Sequence, residues 1–153
     1  MAKIDWCKKQ KNGIELTEPN EDLALAYIKK AENSLKASAA LIANKEWRIS
    51  SLYYAMYFSV YSILMKLGIK CEIHSCTIAI AQEILHDYFE KDDMDLLKKS
   101  MKARIDVQYY TDRNISDAAY QEMISKAPII IAKCKETLNQ ITEKEVQKIR
   151  SLI

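Results

Sequence analysis

The sequence predicts an all-α fold, an up-and-down bundle of about five helices, and three observations carry that expectation. Only two glycines and two prolines occur in 153 residues, too few for the turns of a β architecture. Apolar residues recur at three- and four-residue steps through most of the chain. The stretch from Ser50 to Met65 holds four of the nine tyrosines and no charge, and a helix apolar on nearly every side has to be covered on several sides. At this length the chain is one domain, able to bury a core without disulfides or metals.

Residues 1–18 read as a flexible N-terminal arm, polar and lysine-rich, without the apolar run of a signal peptide. Thr17-Glu18-Pro19-Asn20-Glu21 reads as a helix start, with a capping residue, proline in the first turn and acids at the positive helix end. A first helix then runs to about Asn44, with Leu23, Ala26, Tyr27, Ala31, Ser34, Leu35, Ser38, Leu41 and Ile42 at helical spacing. A second spans roughly Trp47 to Leu67, and Gly68 suits its left-handed cap. Ser75 or Thr77 is a candidate cap for a third, through Ile78, Ala81, Ile84, Leu85 and Tyr88, broken by Lys91-Asp92-Asp93. A fourth carries Met94, Leu97, Met101 and Ile105, acidic at its start and basic later. Asn114, Ser116 and Asp117 offer caps for a fifth, to beyond Ile141, which Pro128 is expected to kink or split. The domain therefore occupies residues 19–141, and 142–153 form a charged helical tail.

Along the second helix Ser51, Ala55, Ser59 and Ser62 make a stripe of small residues that lets a neighbouring helix come close. Tyr54, Phe58, Tyr61 and Met65 form a bulky stripe beside it. One apolar side can serve the chain's own core. The other is assigned to a second copy of the chain, because five helices of this size rarely enclose a central one. The bland alternative is enclosure by the other four.

A net charge of +2 gives no general attraction to polyanions. The uncharged run from Ile49 to Met65 is just short of a membrane span and interrupted by serine and tyrosine, so it reads as a buried helix; no membrane partner is expected, and the compartment is read as cytoplasmic. Cys7, Cys71, Cys76 and Cys134 are scattered and read as unpaired thiols in a reduced setting. Cys71, His74, Cys76 and His86 lack the paired spacing of a zinc site, so neither metal nor cofactor is expected. His74 is read as ordering a connection, His86 as a helix-surface residue. No catalytic triad or glycine-rich phosphate loop is visible.

Arg104 stands out. On a helical wheel it lies with Leu97, Met101 and Gln108, away from the lysines. An arginine on an apolar edge needs an anion or a carbonyl, and its planar fork suits phosphate. A salt bridge to Asp106 or Glu83 is the structural alternative. Lys98, Lys99 and Lys102 are a solvated face that could add phosphate attraction.

Three segments together resemble the HEPN superfamily (higher eukaryote and prokaryote nucleotide-binding domain), in its branch of small archaeal and bacterial proteins. They are Ala31-Glu32-Asn33-Ser34-Leu35-Lys36-Ala37-Ser38; Ser51-Leu52-Tyr53-Tyr54-Ala55-Met56-Tyr57-Phe58, followed by Gly68 and His74-Ser75; and Arg104-Ile105-Asp106-Val107-Gln108-Tyr109. The resemblance spans about Glu21 to Ile141. It implies a helical bundle, commonly a homodimer, with roles in nucleotide or RNA binding and often a small nucleotidyltransferase partner, as in toxin–antitoxin pairs. Ribonuclease members carry an arginine followed four to six residues on by histidine. Here Arg104 matches the arginine and Tyr109 stands where the histidine would, and a phenol is a poor base at neutrality. Gln108 replaces the branch's usual aspartate.

The resulting expectation is a non-catalytic nucleotide- or RNA-binding homodimer. Its binding residues would be Arg104, Tyr109, Gln108, Lys102, Tyr54 and His74, and its dimer interface Tyr54, Phe58, Tyr61 and Met65. The alternatives are a metal-independent ribonuclease with an altered site, using His74 or His86, and a purely protein-interaction dimer.

Overall fold

Asparagines and serines start the long helices by local chemistry. The Asn20 side chain accepts from the Leu23 amide, Asn44 from Trp47 and Ser116 from Ala119, each occupying an amide that the first turn leaves free. In the computed structural model, which describes residues 3–153, these caps open α2 (Glu21–Ala40), α3 (Lys45–Leu67) and α6 (Asp117–Gln140). Two further helices, α4 (His74–Ile84) and α5 (Lys91–Tyr109), complete the five expected from sequence. Pro19 precedes the first of them rather than sitting in its first turn, because Asn20 takes the capping position.

Three smaller features extend the bundle. The stretch expected to be an arm carries a short helix, α1 (Ile4–Lys9), and a strand, β1 (Glu15–Leu16), which pairs antiparallel with β2 (Ile69–Lys70). Cys7 of α1 is fully buried and disulfide-bonded to Cys76 of α4, so two of the cysteines read as free thiols are paired, while Cys71 and Cys134 stay free and buried. A pairing across 69 residues leaves no local signature in a sequence. The charged tail forms α7 (Glu143–Arg150), opened by a reciprocal cap between Thr142 and Glu145. It docks through Val146 and Ile149, and its Arg150 donates to the carbonyls of Thr17, Leu67 and Gly68.

α3 is the axis of the molecule, touching α2, α5 and α6 along its length and α4, α7 and β2 as well. From Ile49 to Leu67 only Ser51, Tyr54, Phe58 and Lys66 escape full burial. The cover that a second copy was expected to supply thus comes mainly from the chain's own helices, with α4 and α7 closing sides that a plain bundle would leave open. The small-residue stripe lets α3 approach its neighbours: the Ser51 hydroxyl donates to the Ser34 carbonyl of α2, and Ala55, Ser59 and Ser62 are fully buried. Gly68 closes α3 at φ +71°, a left-handed cap that glycine adopts without strain.

α6 runs unbroken through Pro128 instead of splitting. The proline is on the exposed face, where water can take the carbonyl it leaves without a donor. Neither Ser75 nor Thr77 caps α4. The Thr77 hydroxyl is buried instead among the carbonyls of Cys71 and Ile73 and the hydroxyl of Tyr57. No helix is long and apolar enough to cross a membrane among the described residues.

Candidate functional site

Arg104 lies on the inner face of α5, 8% exposed. Its guanidinium carbon sits 5.1 Å from the ring centre of Tyr53 and 5.6 Å from that of Tyr54, both on α3. One nitrogen donates to Gln108 Oε1 at 3.0 Å, one turn along the same helix, and its buried Nε has no hydrogen-bond partner. Neither carboxylate considered from sequence answers it. Asp106 is held by Lys102 at 2.6 Å and Arg113 at 2.7 Å, and no described carboxylate forms an ion pair with Arg104. The arginine is therefore a buried cation cushioned by aromatic faces and by one neutral amide.

His74, the first residue of α4, completes the cluster. Its Nδ1 shares a 2.8 Å hydrogen bond with the Tyr53 hydroxyl, and its ring stacks on Tyr57 with centres 4.1 Å apart. Burial first, and then the positive charge of Arg104, push the imidazole pKa down to about 4, so the ring is neutral at pH 7. Burial also raises the Tyr53 and Tyr57 phenols, which stay protonated.

The fold thus brings Arg104, Gln108, Tyr54 and His74 together and sets two other expected residues apart. Lys102 is bound to Asp106 on a different side of α5. Tyr109 is about 140° around the helix from Arg104 by helical geometry and is 67% exposed. Of the stripe assigned to a dimer interface, Tyr54 and Phe58 are half-buried, while Tyr61 and Met65 are buried by the chain itself. His86 is in the turn after α4, beside Asp87, and lines a separate depression with Phe89 and Lys91. No group of three metal-ligating side chains forms among the described residues.

Tyr53 and Tyr57 belong to the site and were not singled out from sequence. Their four-residue spacing marks a shared helix face, but only the placement of α4 shows that this face meets His74.

The HEPN domain family model matches residues 24–137, more than half of the chain and the span from α2 to the end of α6. The chain is a HEPN protein. No curated protein matches it in sequence. HEPN membership ties the chain to a nucleotide- or RNA-related function, and the helical bundle agrees with it. Part of what carried the resemblance converges: the tyrosine segment of α3, His74 at the start of α4 and Arg104 of α5 meet, although 21 positions separate Tyr53 from His74 and α5 lies further on.

Proposed function

We propose that this HEPN protein binds a nucleotide or an RNA end without cleaving it, with Arg104 gripping the phosphate, and that it works as a homodimer beside a small nucleotidyltransferase. The observation that carries the reading is Arg104 itself. A guanidinium this buried, without a carboxylate, has its desolvation unpaid by any counter-charge, and its fork matches a phosphate in geometry and charge. Gln108 and Tyr54 flank it with a polar and a stacking group, and His74 brings no competing positive charge. The partner is implied by the family resemblance. A second copy is supported by an apolar groove along α2 and α3, lined by Ala37, Leu41, Trp47, Tyr54 and Phe58.

Titration calorimetry with nucleoside monophosphates and a 5′-phosphorylated RNA tests the grip. Arg104→Ala should weaken binding about 10- to 100-fold, the range for a charged hydrogen-bonding partner, and Arg104→Lys should recover only part of it because the fork is lost. Equal affinities for the native protein and Arg104→Ala would remove the ligand role.

One observation favours a second reading, an active ribonuclease with an altered site. His74 adjoins Arg104, which places it to take a proton from an RNA hydroxyl while the arginine stabilises the phosphate, although a pKa of about 4 makes it a weak base at neutrality. It predicts RNA cleavage in metal-free buffer that disappears in both His74→Ala and Arg104→Ala. Intact RNA after incubation with concentrated, folded protein would leave the binding role alone.

A further inference from the structure

The two ring nitrogens of His74 meet different surroundings. Nδ1 lies 2.8 Å from the Tyr53 hydroxyl. Nε2, on the far side of the ring, bonds to no protein group among the described residues. It is not a buried orphan either, since among the described residues that state is confined to the Nε atoms of Arg48 and Arg104 and the Ser100 hydroxyl. Nε2 therefore faces solvent, where the half-buried ring edges a cleft of about 560 Å³. A neutral imidazole carries a single proton, and the nitrogen that holds it decides what His74 offers a ligand.

Tyr53 makes that choice. It is fully buried, and His74 Nδ1 is the only hydrogen-bond partner of its hydroxyl among the described residues. A phenol has one proton to donate. With Nδ1 bare, the phenol donates to it, both groups are satisfied, and the ring carries its own proton on Nε2. With the proton on Nδ1, the Tyr53 oxygen accepts instead, and the phenol hydrogen is left in the core without an acceptor. An unpaired buried donor disfavours that tautomer about tenfold or more. Turning the ring over would set a carbon against the phenol and leave the same orphan. The ring is held flat on Tyr57 at 4.1 Å and edge-on to Tyr54 at 6.0 Å between centres. Burial and the charge of Arg104 disfavour the fully protonated ring.

Arg104 shares this platform. Tyr53 and Tyr54, whose ring centres lie 5.8 and 6.0 Å from that of His74, are the same two rings that carry the guanidinium. We propose that Tyr53 is a positioning residue that locks His74 in its Nε2–H form, so that His74 meets a phosphate-bearing ligand as a neutral hydrogen-bond donor beside Arg104 and not as a base. The donor role rests on the phosphate grip proposed above, whereas the tautomer does not. A ring protonated on Nε2, with its Nδ1 lone pair engaged by Tyr53, has no lone pair left to take a proton from an RNA hydroxyl. The altered-ribonuclease reading requires the opposite tautomer. The phosphate can belong to a free mononucleotide or to the 5′ end of an RNA strand, since both present the same oxygens.

Long-range proton–nitrogen correlation NMR of the His74 ring reads the tautomer without any ligand. The native protein at neutral pH should carry the proton on Nε2, and Tyr53→Phe, which keeps the ring and removes the hydroxyl, should show both tautomers. A native ring protonated on Nδ1, or a tautomer unchanged in Tyr53→Phe, overturns the proposal. Calorimetry with AMP and a 5′-phosphorylated tetranucleotide reads the donor. His74→Gln keeps an acceptor for Tyr53 and an N–H donor but cannot act as a base, whereas His74→Leu offers neither. His74→Leu should weaken binding about tenfold or more, the scale of one hydrogen bond to a charged group, and His74→Gln by no more than about threefold. If His74→Leu binds as the native protein does, or His74→Gln weakens as much as His74→Leu, while Arg104→Ala still loses binding, the phosphate grip stands and the donor is overturned. If neither probe binds the native protein, grip and donor fall together. Tighter binding of the tetranucleotide than of AMP identifies the RNA end as the source of the phosphate, and equal or weaker binding identifies the mononucleotide.

Discussion

His74 has two neighbours that decide its charge, and its protonation is a measurable output of the site. Its pKa falls from the ordinary 6.5 to about 4 through burial and the nearby Arg104. Between those values the unfolded chain binds a proton that the folded chain does not. Stability from this group is therefore fully present above pH 6.5, declines as pH falls toward 4, and changes no further below. Urea unfolding of the native protein should show this slope between pH 6.5 and 4, and His74→Gln should flatten it; identical slopes would mean that His74 is not buried beside a cation. Phosphate on Arg104 would cancel that positive charge, so the His74 ring resonances should titrate at higher pH with a nucleotide bound. Arg104 was recognisable in sequence from its place on the helical wheel. Its lack of a carboxylate was not, because Asp106 and Glu83 were both candidate partners and only the fold gave Asp106 to Lys102 and Arg113.

At the scale of elements, helix identity was legible in the sequence and helix environment less so. α2, α3, α5 and α6 lie within a few residues of the positions their periodicity indicated, whereas α4 stops at Ile84, short of Tyr88, and is capped by neither Ser75 nor Thr77. Of the kink or split expected at Pro128, the split does not occur, because α6 continues through it. Because the proline is exposed and costs one backbone bond, Pro128→Ala should stabilise the protein by about 1–3 kcal/mol, bounded above by the helix-interior penalty of proline. Chemical denaturation measures this directly, and an unchanged midpoint would show that α6 has already absorbed the cost. The tyrosine-rich α3 was recognised as needing cover on several sides. How much of that cover the chain's own helices supply was not legible, since it depends on how α2, α5 and α6, and at the edges α4 and α7, dock along it. What remains open is a strip at Tyr54 and Phe58 beside Trp47, narrower than the face first assigned to a second copy.

For the whole molecule, the ends of the chain are fastened to its middle. The Cys7–Cys76 disulfide ties α1 to α4, the Glu72 amide donates to the Asn12 carbonyl, and Arg150 anchors α7 onto the cap of α3. A loop of 69 residues closed by a disulfide restricts the unfolded chain, and its reduction should lower stability by about 2–4 kcal/mol. Guanidinium unfolding with and without dithiothreitol, with the bond verified by mass, checks this; coincident curves would show that the bond adds nothing to the fold. Cys76 is two residues after His74, so the same bond also steadies the turn that delivers the imidazole.

The sequence by itself determined the five main helices, the Ser116 cap of α6, the left-handed stop at Gly68 and the family segments, because each rests on contacts within a few residues or on a pattern along one strip of helix. It also pointed to Arg104, whose neighbours one turn away are set by helical geometry. Only the tertiary structure decided that His74 and Tyr53 share a hydrogen bond, that Lys102 and Tyr109 face away from the arginine, that Cys7 finds Cys76, and that a cleft opens beside His74. Those outcomes depend on how separate helices rotate and cross, which is set by the packing of the entire core rather than by any local run of residues.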